Sequence, residues 1–114
     1  MKATLMNPMG DVVRIFEYGD DETRVGSFEI RCSLFDGSWS IWAVEIYPPY
    51  RGLGHGRTLM NLALAELRHR GAKTAHLWVR SENAVAIKLY ESLGFKITMQ
   101  YAAPRSVLRM EVIL

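Results

Sequence analysis

Apolar and polar positions change period along the chain, and each change predicts an element. Val12 to Tyr18 and Arg24 to Leu34 are rich in β-branched and aromatic residues and predict two strands. Gly19-Asp20-Asp21-Glu22 interrupts them as a solvated hairpin turn. Asp36-Gly37 is a second turn signal, and Trp39 to Tyr47 follows as a third strand. Pro48-Pro49 ends it, because proline has no N–H to give to a ladder. From Gly54 to Arg70 the period lengthens. Leu59, Met60, Ala63, Leu64 and Leu67 recur at three- and four-residue spacing, which predicts an amphipathic helix. Gly71 follows a basic last turn, where a helix-terminating glycine belongs.

Thr74 to Val79 predicts a fourth strand. Ser81 to Leu93 predicts a second helix, with Asn83 near its cap and Gly94 just past its end. Phe95 to Tyr101 and Ser106 to Leu114 predict a closing pair of strands around Ala102-Ala103-Pro104. In the last strand Leu108, Met110, Val112 and Leu114 share one face. The predicted order is β-β-β-α-β-α-β-β. The strand–helix–strand unit from Trp39 to Val79 requires a right-handed crossover and a locally parallel pair, while the N-terminal hairpins make the rest antiparallel. The expected fold class is therefore α/β (α+β), with a mixed, mostly antiparallel sheet and two main helices.

The chain has 114 residues, enough for a single domain over 1–114 and too few for two. Hydrophobic content of 49% beside 23% charged residues reads as globular. Fourteen basic against twelve acidic residues leave a net charge of +2, which is no nucleic-acid footprint. No apolar run reaches the roughly 20 residues that span a bilayer. Met1 to Gly10 has one lysine and no apolar core segment, so no signal peptide is expected, and a cytoplasmic location is the default. Cys32 is the sole cysteine and is expected to be a small packed hydrophobe. His55, His69 and His76 share no ligand spacing, so no metal site is expected.

The chemistry concentrates in Arg51-Gly52-Leu53-Gly54-His55-Gly56-Arg57, between an apolar strand and an amphipathic helix. Glycines at alternate positions leave the backbone bare, and a helix opening this way presents free N–H groups and a positive dipole end to an anion. A tight strand-to-helix turn explains the same glycines equally well. A nucleotide-triphosphate loop needs Gly-Lys followed by Ser or Thr after four intervening residues, and no lysine is present here. A dinucleotide fingerprint needs its third glycine three residues after the second, whereas Gly54 and Gly56 are two apart.

The flanks narrow the choice. Val44 to Gly56 resembles the acetyl-CoA site of the GNAT superfamily of N-acetyltransferases, whose pattern is a strand, a proline and Gln/Arg-x-x-Gly-x-Gly/Ala opening a helix. Asn83-Ala84-Val85-Ala86-Ile87-Lys88-Leu89-Tyr90-Glu91-Ser92-Leu93-Gly94-Phe95 is similar to the family's second cofactor-side motif. The resemblance covers Trp39 to Phe95 and does not extend to a helical pair that most members carry between their first two strands. It implies a short N-acetyltransferase that moves an acetyl group from acetyl-CoA to a primary amine by direct attack. The alternative is a CoA-binding or partner-binding module of the same fold without the chemistry.

By this resemblance the amides of Gly52, Leu53, Gly54, His55, Gly56 and Arg57, with Arg51 beside them, hold the CoA pyrophosphate. The strand before the loop splays from its parallel neighbour, so Val44, Glu45 and Ile46 would offer backbone contacts to the pantetheine arm, with the Ile46 N–H as the oxyanion donor. Asn83 matches a cofactor-contacting position, although a helix cap accounts for it as well. Tyr90 matches the general acid that protonates the departing thiolate; a phenol of pKa ~10 carries its proton at neutral pH. Half-buried core packing is the other account of Tyr90.

An acceptor amine of pKa ~10.4 must lose a proton before it attacks. Members that acetylate ribosomal-protein N-termini carry a glutamate on the strand after the long helix, but Trp78 stands at that position here. Glu45 is the candidate base, acting directly or through water, with Glu29 and Glu82 as fallbacks and bulk water as a further route. Trp39, Trp42, Trp78, Phe28, Phe35 and Tyr47 fall at predicted strand positions, mostly as core, some lining the acceptor side. The acceptor, whether peptide, protein or small molecule, is not specified. A sheet without the helical pair would leave apolar surface uncovered and favour a homodimer.

Overall fold

The computed structural model describes residues 3–8, 10–20, 22–102 and 104–114. Met1, Lys2 and Met9 of the N-terminal segment, Asp21 of the predicted hairpin turn and Ala103 of the predicted closing turn lie outside them. The elements are β1 (Ala3–Met6), β2 (Asp11–Gly19), β3 (Arg24–Ser33), β4 (Trp39–Ile46), α1 (His55–His69), β5 (Thr74–Arg80), α2 (Ala84–Ser92), β6 (Lys96–Tyr101) and β7 (Val107–Ile113). The strands form one seven-stranded sheet in the order β1-β2-β3-β4-β5-β7-β6. Among the described residues only the β4/β5 pair is parallel. This is the mixed, mostly antiparallel sheet with two helices that the hydrophobic periods predict.

Both helices lie on one face. The β4–α1–β5 and β5–α2–β6 connections step across the sheet in the same direction, and right-handed crossovers then put both helices on the same side. Burial agrees with this. Ala75, Leu77 and Val79 on β5, and Leu108, Met110 and Val112 on β7, are buried in one cluster with Leu59, Met60, Ala63, Leu64 and Leu67 of α1. Leu67 is fully buried, so Leu67→Ala is expected to cost about 2–5 kcal/mol of stability. The intervening residues His76, Trp78, Arg109 and Glu111 point to the opposite face by strand alternation. Among the described residues no helix lies between β1 and β2 or between β2 and β3. The side opposite α1 and α2 is an open sheet face.

Three details differ from the periodicity. Strand β1 was not expected; its four residues are mostly exposed and too few to display an alternation, and it forms by pairing with the edge of β2. Helix α2 starts at Ala84 rather than Ser81, because the Asn83 N–H closes a turn on the Arg80 carbonyl first. Phe35 lies in the turn after β3 and is 87% exposed, not in a strand.

Strand β4 contains the irregularity that shapes the site. Its register against β3 passes from Ser27↔Glu45 to Glu29↔Trp42, so β4 carries one extra residue there. Ala43 absorbs it with φ of 51°, as a β-bulge requires. The bulge inverts the alternation after it. Val44 and Ile46 thereby pack against the helix-side core with Ile41, while Glu45 is exposed on the open face with Trp42. Gly26 on β3 lets the strands close there, since a Cβ on it would lie 2.4 Å from the Glu45 carbonyl oxygen.

Candidate functional site

Strands β4 and β5 pair at Ser40↔His76 and then diverge. The divergence leaves a slot of about 280 Å³ that includes Trp42, Val44, Trp78, Val79, Asn83 and Tyr90 in its lining. A second groove, of about 360 Å³, continues along the end of β4. Ile46, Tyr50 and the loop from Arg51 to Arg57 apart from Leu53 line it on one side, Val85 and Leu89 of α2 on the other. The two motifs from the sequence thus flank one continuous edge of β4.

That edge is chemically unfilled. The Tyr47 N–H donates to the Val25 carbonyl at 2.8 Å, so alternation turns the Tyr47 and Glu45 amides toward β3 and the Val44 and Ile46 amides outward, Val44 at the slot and Ile46 at the groove. Glu45 therefore stands apart from its neighbours: its amide faces β3, and its side chain lines neither cavity. Arg51 Nε donates to the Ile46 carbonyl at 2.8 Å, which satisfies the last outward carbonyl of the splayed strand.

The glycine loop fits an anion. Gly54 is the N-cap of α1 and supplies no side-chain cap, and no acidic residue occupies the first turn. The N–H groups of that turn are left to a ligand. Gly52 and Gly54 have φ of 77° and 82°, which L side chains rarely adopt. A Cβ on either would meet nothing within 4 Å, and one on Gly56 would lie 3.5 Å from Leu89. The loop is bare toward the groove and is not packed against the protein. A pyrophosphate and an extended amide-containing arm suit this cradle and the open β4 edge.

The side chains near the loop divide by role. His55 is half-buried between the rings of Tyr18 and Tyr50, with centroids at 6.0 and 6.3 Å, so its imidazole packs while its N–H opens the helix. Arg57 Nη2 donates to Ser92 Oγ at 2.8 Å and ties the start of α1 to the end of α2. Leu53 is exposed. Asn83 Oδ1 accepts from the Ala86 N–H at 3.2 Å as the cap of α2, while Asn83 also lines the slot. Capping and ligand contact are therefore compatible in one residue.

Tyr90 lines the slot from α2, with its ring 5.8 Å from Phe95. Burial raises its phenol above the ordinary value of 10.0, so Oη carries its proton across the physiological range. Glu45 has no hydrogen-bond or ion-pair partner among the described residues, whereas Glu29 is bound to Arg31 at 3.0 Å and Glu82 lies 3.6 Å from Arg80. Among the described residues no group of three or more His, Cys, Asp or Glu side chains converges as a metal cluster would.

Sequence reasoning did not single out Val85, Leu89 or Tyr50. Val85 is 85% exposed although apolar. Its spacing of four from Leu89 on a short helix beside the glycine loop is the available signal. Trp42 and Trp78 belong to an aromatic set expected mostly as core with some on the acceptor side, and both line the slot from the open face.

The model of the acetyltransferase (GNAT) family matches residues 11–95. The chain is 39% identical over 72 residues to the [ribosomal protein bS18]-alanine N-acetyltransferase of Escherichia coli (strain K12), covering 63% of this chain and 48% of that one. It is 40% identical over 68 residues to a mycothiol acetyltransferase of Nocardiopsis dassonvillei, covering 57% of this chain and 21% of the relative. The chain thus spans about half or less of the length of these curated relatives. The crystal structure of the ribosomal-protein-S18-alanine N-acetyltransferase from Escherichia coli superposes with a TM-score of 0.76 at 27% identity, over 89% of this chain and 68% of that one.

Proposed function

This chain belongs to the acetyltransferase (GNAT) family, and on that premise we propose that it transfers an acetyl group from acetyl-CoA to a primary amine. The observation that carries the reading is that the slot between β4 and β5 and the glycine-lined groove lie in succession along β4, one reaching Val44 and the other beginning at Ile46. Donor arm and reacting group would then occupy one edge of one strand. Bound acetyl-CoA supplies a thioester acyl group at the slot. The amides of Gly52 to Arg57 hold the pyrophosphate, and the Val44 and Ile46 amides hold the arm. Of the two outward amides, that of Val44 lines the slot with Tyr90 while Ile46 lines the groove, so the Val44 N–H, rather than the Ile46 N–H expected from the sequence, would face the carbonyl oxygen as its negative charge develops. As the new C–N bond forms and the C–S bond breaks, Tyr90 Oη gives its proton to sulfur.

The proton lost by the amine leaves on the open face, where Glu45 is an unpaired carboxylate reached directly or through water. Holding donor and acceptor together supplies much of the rate. The relatives' names point to a ribosomal-protein alanine in one case and to mycothiol in the other, which differ too widely to choose one acceptor for this chain. Among the described residues no helix is long and apolar enough to cross a membrane, which accords with a water-accessible acceptor.

Calorimetry should give saturable acetyl-CoA binding at one site per chain, and a thiol-release assay with an amine panel should give turnover. Binding without release for any amine would instead support the second reading, a CoA-binding module. One observation favours that reading: Trp78 brings no carboxylate to the strand beside the slot.

A further inference from the structure

We infer that Trp78, backed by Tyr101, selects the acceptor: it forms an aromatic wall for the hydrocarbon stem of an alkyl or lysine-like amine. The inference rests on the proposed acetyl transfer and names the substrate class of the same slot. Trp78 projects from β5 to the open face by alternation and is 37% exposed, so part of its ring is available to a ligand. Its ring lies 5.7 Å from Tyr101 of the closing hairpin and edge-on to His76 at 6.4 Å. Trp42 lines the slot from the facing strand, so the open-face mouth has an indole on each side.

Most charges around this mouth are paired, and the carboxylate of Glu45, unpaired among the described residues and on the open face with Trp42, lines neither cavity. The Arg31 guanidinium sits 4.3 Å over the Trp42 ring and is bound to Glu29. Arg109, the register partner of Trp78, is bound to Glu111 at 2.7 Å. No carboxylate is among the described residues that line the slot. A second ammonium, as in a polyamine, would meet the like charge of Arg80 and no carboxylate in the slot's lining, and the hydroxyls of an aminosugar would lose water against the indoles without new partners. A methylene stem loses nothing and gains contact with the rings.

The test uses the full chain with saturating acetyl-CoA and three amines, hexylamine, spermidine and glucosamine, measured by thiol release. Wild type should prefer hexylamine in kcat/KM. Trp78→Ala should raise KM for hexylamine roughly tenfold while kcat and acetyl-CoA affinity hold, and should leave glucosamine nearly unchanged. Trp78→Phe should recover most of the loss, which a merely misfolded variant would not allow. Tyr101→Ala should give a smaller rise of the same kind. Turnover with no preference for hexylamine, or a Trp78→Ala variant that lowers all three amines equally, overturns the acceptor wall and leaves acetyl transfer standing. Absence of turnover with every amine, in protein that binds acetyl-CoA, overturns both.

Discussion

The two sides of the slot are built on different principles. The side proposed to hold the donor, from Val44 to Arg57 and along α2, relies on backbone: bare amides at a helix start, left-handed glycines and an unpaired strand edge. The acceptor side relies on side chains from four strands that meet on the open face, Arg31, Trp42, Trp78 and Tyr101 among them. Backbone recognition suits a ligand that stays the same, and side-chain recognition suits one that varies. The donor side should therefore fail abruptly when altered, and the acceptor side should change preference by degrees.

The sharpest break lies in the glycine loop. Gly54→Trp places a ring in space that no protein atom occupies, so the fold should survive with a modest cost from its φ of 82°. Acetyl-CoA affinity should fall about 10³-fold, the loss expected when two charge-assisted hydrogen bonds are blocked. Calorimetry beside a thermal melt separates the two effects. Gly26→Ala is the converse case. Its Cβ would press on the Glu45 carbonyl oxygen at 2.4 Å, so it should lower the melting temperature and weaken binding only through the displaced β4.

Tyr90→Phe comes next, because it removes a proton and leaves the shape. Turnover should drop about 10²-fold with acetyl-CoA affinity within about twofold. The pH dependence carries a sign. Burial raises the Tyr90 pKa in the folded chain, so its protonated form contributes stability that is complete below the ordinary value of 10.0 and is lost as pH rises through the folded value. Wild-type turnover should show no alkaline decline from Tyr90 below pH 10.0, and Tyr90→Phe should remove any decline seen above it. A variant that loses binding instead would make Tyr90 a packing residue against Phe95.

The same division explains what was legible from the amino acids alone. The helix pattern of Leu59 to Leu67, the glycine spacing and the Asn83 cap are local, so each can be read within one turn or one motif. The open face is not local. Trp78 looks like any strand tryptophan until β7 and β6 bring Arg109 and Tyr101 beside it from more than twenty residues away. The β4 bulge is similarly silent. Ala43 carries no glycine signal for its φ of 51°, yet it decides that Val44 and Ile46 pack inward while Glu45 looks out. Strand β1 escaped for a simpler reason, since four residues held by a neighbour's edge leave no periodic trace.

Glu45 gives the mildest test and bears most directly on the contrast, because it stands on the donor strand and faces the acceptor side. It is exposed and unpaired among the described residues, unlike Glu29, which Arg31 holds against Trp42. If Glu45 collects the amine's proton, Glu45→Gln should lower kcat/KM about fivefold near neutral pH, at the low end of general-base effects because water intervenes. The deficit should shrink as pH rises through ~10.4, above which an alkylamine is largely free base and needs no acceptor for its proton. Glu29→Gln should behave differently, loosening Arg31 from Trp42 and shifting KM with no such pH trend. A Glu45→Gln deficit that is constant with pH would mean that the carboxylate acts by its charge on the strand. Unchanged turnover would assign proton loss to bulk water across the open face, and would leave the acceptor side with specificity but no chemistry of its own.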